Sequence, residues 1–395
     1  MIEYKSAAYY RSVAALCLAA VAVFANLHLM QPLLPEISRQ FALTPLQASI
    51  SYTLATLCLG LSLLVYAALS DAWGRKTLLL ITLVGMSVST LLLTQVQSFS
   101  SLVLLRAIQG CCLGGLPAIA IAWMGEEYSK PALVSAVGYY ISANSLGGIS
   151  GRLLAGGLAD WGHWQWVFWP MTLLGALSCY AVWRYLPAAQ YFVRQPFRLK
   201  QALRDNLYHL RQRLLLLTYL IGGLNFLVFL NQYTYASFVL AATPFNLSSG
   251  LIGLLFITYL TGTLGSAYSA KIAQRLNLPG AMALGVLIMM LGSIMTLFAG
   301  LLGMVTGFFI SAFGFFLCHS LASSFVNQQA TRAKASASAL YLVFYYIGAS
   351  SGGVYLQPFW QWAAWPGVIM GSLLMYSLTL ALSCWLWRLQ RTKLC

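Results

Sequence analysis

Long apolar runs constrain this chain more than any other feature of its sequence. Only 7% of its 395 residues are charged and 60% are hydrophobic, whereas about 25% of the residues in a soluble globular chain are charged. A helix that crosses a bilayer needs roughly 20 mostly apolar residues. Runs of that length fill most of the sequence, so we predict an all-α polytopic membrane protein.

Turn residues and charges divide the chain into twelve apolar segments. They fall near 12–34, 46–70, 77–96, 102–124, 134–159, 166–187, 214–238, 249–270, 280–298, 301–326, 337–357 and 364–387. The gaps are mostly short, but a long basic stretch separates segments six and seven. We therefore predict a six-helix bundle at 1–187, a basic cytoplasmic linker at 188–213 and a second six-helix bundle at 214–395.

The basic residues follow the topology that this count implies. If the N-terminus is cytoplasmic, all of the 22 Lys and Arg except Arg39, Arg106 and Arg152 fall in cytoplasmic segments. An excess of Lys and Arg is typical of cytoplasmic loops. We predict a multi-pass protein of the inner (cytoplasmic) membrane with both termini in the cytoplasm. The net charge of +15 then reflects topology, and nucleic-acid binding is disfavoured.

The residue types needed for catalysis or metal binding do not come together in the sequence. The eight Cys lie in apolar runs or at the C-terminus and have no metal-ligand spacing. We find no Ser/His/Asp arrangement and no ATP-binding loop of the P-loop type. The sequence therefore predicts neither an enzyme nor an ATP-driven pump, and it predicts no cofactor or metal.

An internal repeat relates the two predicted bundles. The stretch 139–148 in segment five resembles 345–353 in segment eleven, at a spacing of about 205 residues. A Trp-Gln-Trp follows each copy, at 164–166 and at 360–362. The repeat predicts two six-helix halves in parallel orientation. Parallel repeats of this kind occur in secondary transporters, whose halves rock around a midplane site.

The loop between segments two and three concentrates charge. It reads Ala67-Ala68-Leu69-Ser70-Asp71-Ala72-Trp73-Gly74-Arg75-Lys76. This loop resembles the signature loop of the major facilitator superfamily, although Ala67 replaces its opening Gly and Ala72 its first basic residue. The resemblance covers essentially the whole chain and implies the twelve-helix fold of that superfamily.

The same loop predicts a gate on the cytoplasmic side. A carboxylate at the C-terminal end of a helix opposes the helix dipole, so Asp71 needs a partner. Arg75 and Lys76 are near in sequence, and Gly74 matches the second Gly of the signature pattern. The resemblance implies another partner in the second half, the N-terminus of segment eleven near Ser336. The alternative is an ordinary basic loop with a bystander Asp.

Segments four and five carry further resemblances. Arg106, Gln109 and Gly110 match the superfamily pattern Arg-x-x-Gln-Gly, which implies a role in proton coupling. An intramembrane Arg is costly and is functional by default; the alternative is a structural Arg that binds backbone carbonyls. In segment five, the Gly-rich stretch 147–157 resembles a motif of antiporters, with Gly151-Arg152 where that motif has Gly-Pro.

The few acidic residues bear on the substrate and on proton coupling. Of the seven carboxylates, none lies deep in a predicted span, and Glu36 at the outer end of segment one comes nearest. We therefore expect a neutral or anionic substrate rather than a simple organic cation. The candidates that could carry a proton are Glu36, Asp71 and two membrane histidines, His28 and His319.

Polar side chains inside the spans predict the substrate contacts. The candidates are Asn26, His28, Met30, Asn144, Asn225, Gln232, Tyr235 and His319. Together with the resemblance to bacterial drug- and sugar-efflux permeases, they predict a monomeric, proton-coupled exporter of small organic molecules. Its partners would be the substrate, protons and the lipid bilayer. The alternative is an importer or symporter of a small organic anion or sugar.

Overall fold

The computed structural model describes residues 1–187, 199–298 and 300–392. Residues 188–198, the first part of the predicted basic linker, lie outside the described residues. Within the described ranges the chain is helical. An isolated backbone pairing joins Ile2 to Tyr128.

Eight helices precede the linker. They are α1 (Ala7–His28), α2 (Leu34–Gln40), α3 (Pro45–Trp73), α4 (Arg75–Leu93), α5 (Phe99–Leu113), α6 (Gly115–Glu127), α7 (Lys130–Trp161) and α8 (Phe168–Tyr185). Short 3₁₀ turns at Gln31–Leu33 and Trp164–Val167 lead into α2 and α8. Predicted segment four is thus two helices, α5 and α6, which meet at Gly114.

Six helices follow. They are α9 (Leu199–Leu210), α10 (Arg213–Ala241), α11 (Ser249–Leu254), α12 (Leu260–Met295), α13 (Gly300–Gln329) and α14 (Lys334–Thr392). Two of them contain a break in helical backbone. In α12 the break is at Asn277 and separates segments eight and nine. In α14 it is at Ala363 and Ala364 and separates segments eleven and twelve.

The described residues contain nine helical stretches that are long and apolar enough to cross a membrane. Two of these stretches hold the breaks just described and therefore contain two predicted segments each. The long helix α7 is not one of these nine stretches, because it carries Arg152 and many Gly and Ser. It corresponds to segment five. The all-α, polytopic architecture predicted from the apolar runs is therefore confirmed.

The chain forms two compact units. Unit 1 contains the described residues between Met1 and Leu199 together with Ser248–Gly253. Unit 2 contains Lys200–Leu247 and the described residues from Leu254 onward. The short segment in unit 1 is held by Asp160, whose Oδ2 accepts hydrogen bonds from Ser248 Oγ (2.6 Å) and Gly250 N (3.1 Å).

Glycines let the helices of unit 1 approach closely. A Cβ placed on Gly151 of α7 would lie 2.5 Å from Ala25 Cα of α1. One placed on Gly110 of α5 would collide with the backbone of Ala55 in α3. Small residues at such crossings are typical of packed membrane helices. Gly110 and Gly151, one from each sequence motif, are therefore helix-packing residues.

Aromatic side chains fill the centre of unit 2. Phe229 of α10 stacks on Phe315 of α13, with ring centroids 4.0 Å apart. Phe226 stacks on Tyr345 of α14 at 3.6 Å. Aromatic pairs in such arrangements contribute about 0.5–1.5 kcal/mol beyond their buried area. These stacks hold α10 against α13 and α14.

Candidate transport site and gate

The charged loop between α3 and α4 forms an ion-pair chain. Arg75 Nη1 lies 2.6 Å from Asp71 Oδ1, and Arg75 Nη2 lies 2.7 Å from Glu126 Oε1 at the end of α6. Arg75 also donates to Ser70 Oγ (2.6 Å). One guanidinium therefore binds two carboxylates and ties the loop to the end of α6. The predicted contact of Asp71 with the second half stays a prediction.

Gly74 and Lys76 fix the shape of this loop. Gly74 has a φ of 99°, in the region that favours glycine, and it separates α3 from α4. Lys76 Nζ donates to the carbonyls of Trp183 (2.9 Å) and Leu186 (2.5 Å) at the C-terminal end of α8. A cation is favourable there because the last carbonyls of a helix carry partial negative charge.

Arg106 lies fully buried in the middle of unit 1. Its guanidinium donates to the carbonyls of Asn26 (2.8 Å), Leu27 (3.0 Å) and Ser51 (3.4 Å), and to Gln109 Oε1. All four acceptors are neutral. The interpretation of Arg106 as an Arg that binds backbone carbonyls describes these contacts, and a further role in coupling stays a prediction.

The network around Arg106 extends through two more side chains. Gln109 Nε2 donates to Thr90 Oγ1 (2.7 Å) and to Asn26 Oδ1 (3.1 Å). Thr90 Oγ1 also donates to Asn26 Oδ1 (3.1 Å). Four helices, α1, α3, α4 and α5, therefore share one buried polar network. Asn26 is fully buried within it, so it acts on the helix packing in this structure.

A second polar cluster surrounds Arg152. Arg152 Nε donates to Gln31 Oε1 (2.7 Å), and its Nη1 donates to the Gly148 carbonyl (2.9 Å). A Cβ on Gly148 would lie 3.4 Å from both Arg152 Nη1 and His28 Cδ2, so His28 is a close neighbour of Arg152. The Nδ1 of His28 lies 2.9 Å from Tyr52 Oη. This cluster joins α1, α3 and α7 at one level of unit 1.

Unit 2 contains a similar His–Tyr pair. His319 Nδ1 of α13 lies 2.9 Å from Tyr341 Oη of α14. Among the other predicted substrate residues, Asn225 donates to Cys318 Sγ (3.2 Å) and Gln232 to Ser293 Oγ (2.9 Å). Tyr235 Oη donates to the Gly353 carbonyl (3.0 Å). These three residues of α10 are buried, whereas His319 is half-buried.

The remaining predicted residues lie apart from these networks. Met30 is fully buried. Glu36 is half-buried in α2, and the charged groups that act on it are Arg39, Asp160 and His163. Asn144 is half-buried in α7, with its Oδ1 buried and accepting no hydrogen bond from the described residues.

Sequence reasoning missed several partners. They are Glu126, which binds Arg75, Tyr52 and Tyr341, which bind the two histidines, and Thr90, which binds Gln109. Glu126 carried a usable signal, because a carboxylate at the C-terminal end of a helix needs a cation. The Tyr residues carried none, because each of these apolar runs holds more than one Tyr and nothing in the sequence marks the one that meets a His.

Two bundles of membrane-crossing helices with buried polar networks define a polytopic membrane transporter rather than an enzyme. The chain matches the profile of the Major Facilitator Superfamily over residues 16–353. The chain belongs to this superfamily, and the resemblance to the superfamily as a whole is confirmed.

Relatives of similar length support this assignment. The chain is 35% identical to the inner membrane transport protein YnfM of Escherichia coli (strain K12), over 95% of this chain and 89% of that protein. It is 34% identical to the uncharacterized MFS-type transporter YybF of Bacillus subtilis (strain 168), over 88% of this chain and 86% of that protein. These matches extend over nearly the full length of both proteins.

Solved structures share the fold at low identity. The fold matches a bacterial homologue of the human lysosomal transporter Spinster, with a TM-score of 0.74, 16% identity and coverage of 95% of this chain and 96% of that one. It also matches the nucleoside transporter NupG, with a TM-score of 0.72, 13% identity and coverage of 95% and 99%. At these identities the likeness is one of fold alone.

Proposed function

We propose that this chain is a proton-coupled antiporter that exports small, neutral or anionic organic molecules across a bacterial inner membrane by alternating access. Both termini would lie in the cytoplasm, as the distribution of Lys and Arg predicts. The protein would act as a monomer, with the substrate, protons and lipid as its partners. Membership of the superfamily supports transport. The two His–Tyr pairs, the ion pairs of Arg75 and the buried charge of Arg106 support proton antiport, gating and the charge of the substrate.

The observation that carries the proposal is the placement of a titratable imidazole next to a phenol in each unit. His28 faces Tyr52 in unit 1 and His319 faces Tyr341 in unit 2, both at 2.9 Å. Histidine is the side chain whose ordinary pKa lies nearest neutral pH. Both histidines are half-buried, so they can exchange protons when the surrounding helices open. Glu36 and Asp71 are the other candidates that could carry a proton.

The ion-pair chain supports gating at the loop between α3 and α4. Asp71 is 44% exposed, while Arg75 is 11% exposed and holds both Asp71 and Glu126. Exposed ion pairs contribute little to stability, about 0–1 kcal/mol. Such a pair can change partners at low energetic cost. We propose that Asp71 exchanges Arg75 for the N-terminal end of α14 when the cytoplasmic side closes.

The charge of Arg106 supports a neutral or anionic substrate. Arg106 is buried among four neutral acceptors, so its positive charge contributes to the potential inside unit 1. A positive potential in a low-dielectric site repels cations and attracts anions. His28, Asn144 and His319 are the half-buried residues that we propose as direct contacts. The buried candidates Asn26, Met30, Asn225, Gln232 and Tyr235 would position the helices.

The alternative is import of a small organic anion or sugar. The same positive potential favours it, because uptake of an anion uses the same complementarity. Direction distinguishes the two functions: an antiporter moves the proton and the substrate in opposite directions, and a symporter moves them together.

The experiment uses inside-out membrane vesicles with an imposed proton gradient, acidic inside, and a pH-sensitive dye. Neutral, anionic and cationic compounds are added in turn. We expect loss of the gradient with neutral or anionic compounds, and no loss with the His28→Gln or His319→Gln variants if that histidine carries the proton. A response confined to cations would contradict the proposed substrate charge. No response from folded protein would contradict antiport.

A further inference from the structure

Unit 1 contains a cleft at the membrane surface opposite the Arg75 loop. The helix α4 begins at Arg75 and, at about 1.5 Å per residue, its 19 residues span most of a bilayer core, so Leu93 lies at the other surface. A cleft of about 320 Å³ opens there. Two segments line it, the turn after α4 and the turn before α8, through Thr94, Gln95, Val96, Gln97, His163, Gln165, Trp166 and Trp169.

The wall of this cleft is preformed. Trp164 is buried and donates its indole N–H to Gln40 Oε1 at 2.5 Å, which anchors the 3₁₀ turn. The ring of Trp166 packs over Gly162, where a Cβ would lie 2.6 Å from the ring. The backbone N–H of Trp166 donates to the backbone carbonyl of His163 (2.9 Å). A backbone hydrogen bond and the contact with Gly162 therefore hold Trp166 in this turn.

The chemistry of the lining selects a ligand with an ammonium group. Among these described lining residues there is no Lys, Arg, Asp or Glu. The Oε1 of Gln165 is buried and accepts no hydrogen bond from the described residues. A buried acceptor without a donor is destabilising, and a ligand N–H would satisfy it. Trp166 and Trp169 are 48% and 52% exposed, and indole faces attract cations.

The surface below the cleft selects a ligand with acyl chains. The helices α4 and α8 pack on each other. Leu92 on α4 and Leu173 and Leu177 on α8 are exposed large apolar residues that continue from the cleft into the hydrocarbon region. An amphiphile with its headgroup in the cleft would place its chains along these residues, and the bilayer supplies such a molecule.

We propose that this cleft binds the headgroup of a phospholipid with a primary amine, of the phosphatidylethanolamine type. The ammonium donates to Gln165 Oε1 and lies against the Trp166 and Trp169 indoles. The phosphate accepts hydrogen bonds from His163 and the Gln95 amide. A choline headgroup has no N–H and cannot satisfy Gln165, and a glycerol headgroup carries no cation for the indoles.

The internal repeat supplies a matched control. The second Trp-Gln-Trp, Trp360 to Trp362, lies within helix α14 rather than in a 3₁₀ turn, and Trp362 is 70% exposed. The same residue types are therefore present on a different backbone. Variants at Gln361 and Trp362 report on interfacial Trp and Gln in general, and variants at Gln165 and Trp169 report on the cleft.

The test is native mass spectrometry of the purified, delipidated full chain. Equimolar ethanolamine, choline and glycerol phospholipids with identical acyl chains are added, and retained lipid is counted. Because hydrogen bonds to charged groups are stronger than neutral ones, we expect at least about tenfold preference for the ethanolamine lipid, equivalent to about 1.4 kcal/mol. Gln165→Leu should reduce retention of the ethanolamine lipid to the choline level. Trp169→Leu should reduce retention of both the ethanolamine and the choline lipid toward the glycerol level, because both carry a cation. Gln361→Leu and Trp362→Leu should do neither.

A second Trp169 variant and a soluble headgroup complete the test. Trp169→Phe retains an aromatic face and serves as the variant that folds if Trp169→Leu does not; it should keep part of the preference for the ethanolamine lipid over the glycerol lipid. Equal retention of ethanolamine and choline lipids, or full retention in a folded Gln165→Leu variant, would overturn the proposal. Displacement of the lipid by micromolar soluble phosphoethanolamine would overturn the lipid as the source of the headgroup.

Discussion

Arg106 Nη1 donates a 2.8 Å hydrogen bond to the backbone carbonyl of Asn26, 80 residues away in the chain. The neighbouring Leu27 carbonyl accepts from Nη2 at 3.0 Å. These two carbonyls lie near the C-terminal end of α1, just before the 3₁₀ turn that leads to α2. The guanidinium thus fixes the end of α1 that also carries His28.

Replacing Arg106 with Lys tests this relationship. Lys keeps the charge but has a single nitrogen, so it cannot reach the carbonyls of α1 and α3 and Gln109 together. We expect a lower thermal unfolding temperature in detergent, corresponding to at least about 1.5–3 kcal/mol for one lost charged hydrogen bond, and loss of transport. The control is Arg39→Lys, at an exposed Arg, which should change neither. Equal unfolding temperatures for the two variants would contradict the network.

The close crossing of α7 and α1 is tested by two glycines in one helix. Gly151→Ala would place a Cβ 2.5 Å from Ala25 Cα, whereas a Cβ on Gly157 meets nothing within 4 Å. Overpacking of this kind costs about 1–3 kcal/mol, and Ala in an open helical position gains up to about 1 kcal/mol over Gly. We expect Gly151→Ala to lower the unfolding temperature and Gly157→Ala to leave it unchanged or raise it. An unfolding temperature of Gly151→Ala that is unchanged or raised would show that the crossing is loose.

Replacing Asp71 with Asn should change transport more than stability. Because the Asp71 side chain is 44% exposed, Asp71→Asn should change the free energy of unfolding by no more than about 1 kcal/mol. If Asp71 exchanges partners during transport, the same variant should reduce the transport rate about tenfold, equivalent to about 1.4 kcal/mol in the barrier. Glu3→Gln, at another exposed carboxylate, is the control. Unchanged transport in purified Asp71→Asn would rule out the gating role.

His209 at the end of α9 predicts acid sensitivity. Burial lowers the pKa of His209, Arg332 lowers it further, and the Ala333 backbone and Asp205 oppose both. The folded chain therefore favours neutral His209, and below the ordinary pKa of 6.5 the unfolded chain binds more protons. The stability contributed by neutral His209 is complete above that pH and is lost as pH falls.

The measurement for His209 is the unfolding temperature between about pH 7.5 and 5.5, around the ordinary pKa of histidine. The wild type should lose more stability on acidification than His209→Gln. His163→Gln, at an exposed His, should behave as the wild type. A steeper pH dependence in His209→Gln would contradict the sign of the shift.

The sequence predicted the features that depend on local pattern. Apolar runs predicted the helices, and the charged stretch between two of these runs predicted the loop between α3 and α4, where Gly74 has a φ of 99°. Asp71 and Arg75 are close in sequence, on either side of the turn at Gly74, so an ion pair between them could also be expected.

Features that depend on long-range packing did not follow from the sequence. The carbonyl acceptors of Arg106 belong to another helix, and a carbonyl leaves no signature in the sequence. The repeat predicted two parallel halves but not the local backbone of the two Trp-Gln-Trp copies. The structure has a 3₁₀ turn at Trp164–Val167 and continuous helix around Gln361, because the following break lies at Ala363 and Ala364 rather than before the motif.

The most direct test of proton antiport uses a gradient of the transported compound to drive proton movement. Purified protein is reconstituted into vesicles loaded with a compound that responded in the gradient assay, with equal pH on both sides. The vesicles are then diluted so that the compound flows out through the protein, and the internal pH is followed. Antiport predicts that the interior becomes more acidic as the compound leaves, and that Asp71→Asn slows both movements together. An interior that becomes more alkaline would show symport, and efflux without any pH change would contradict proton coupling.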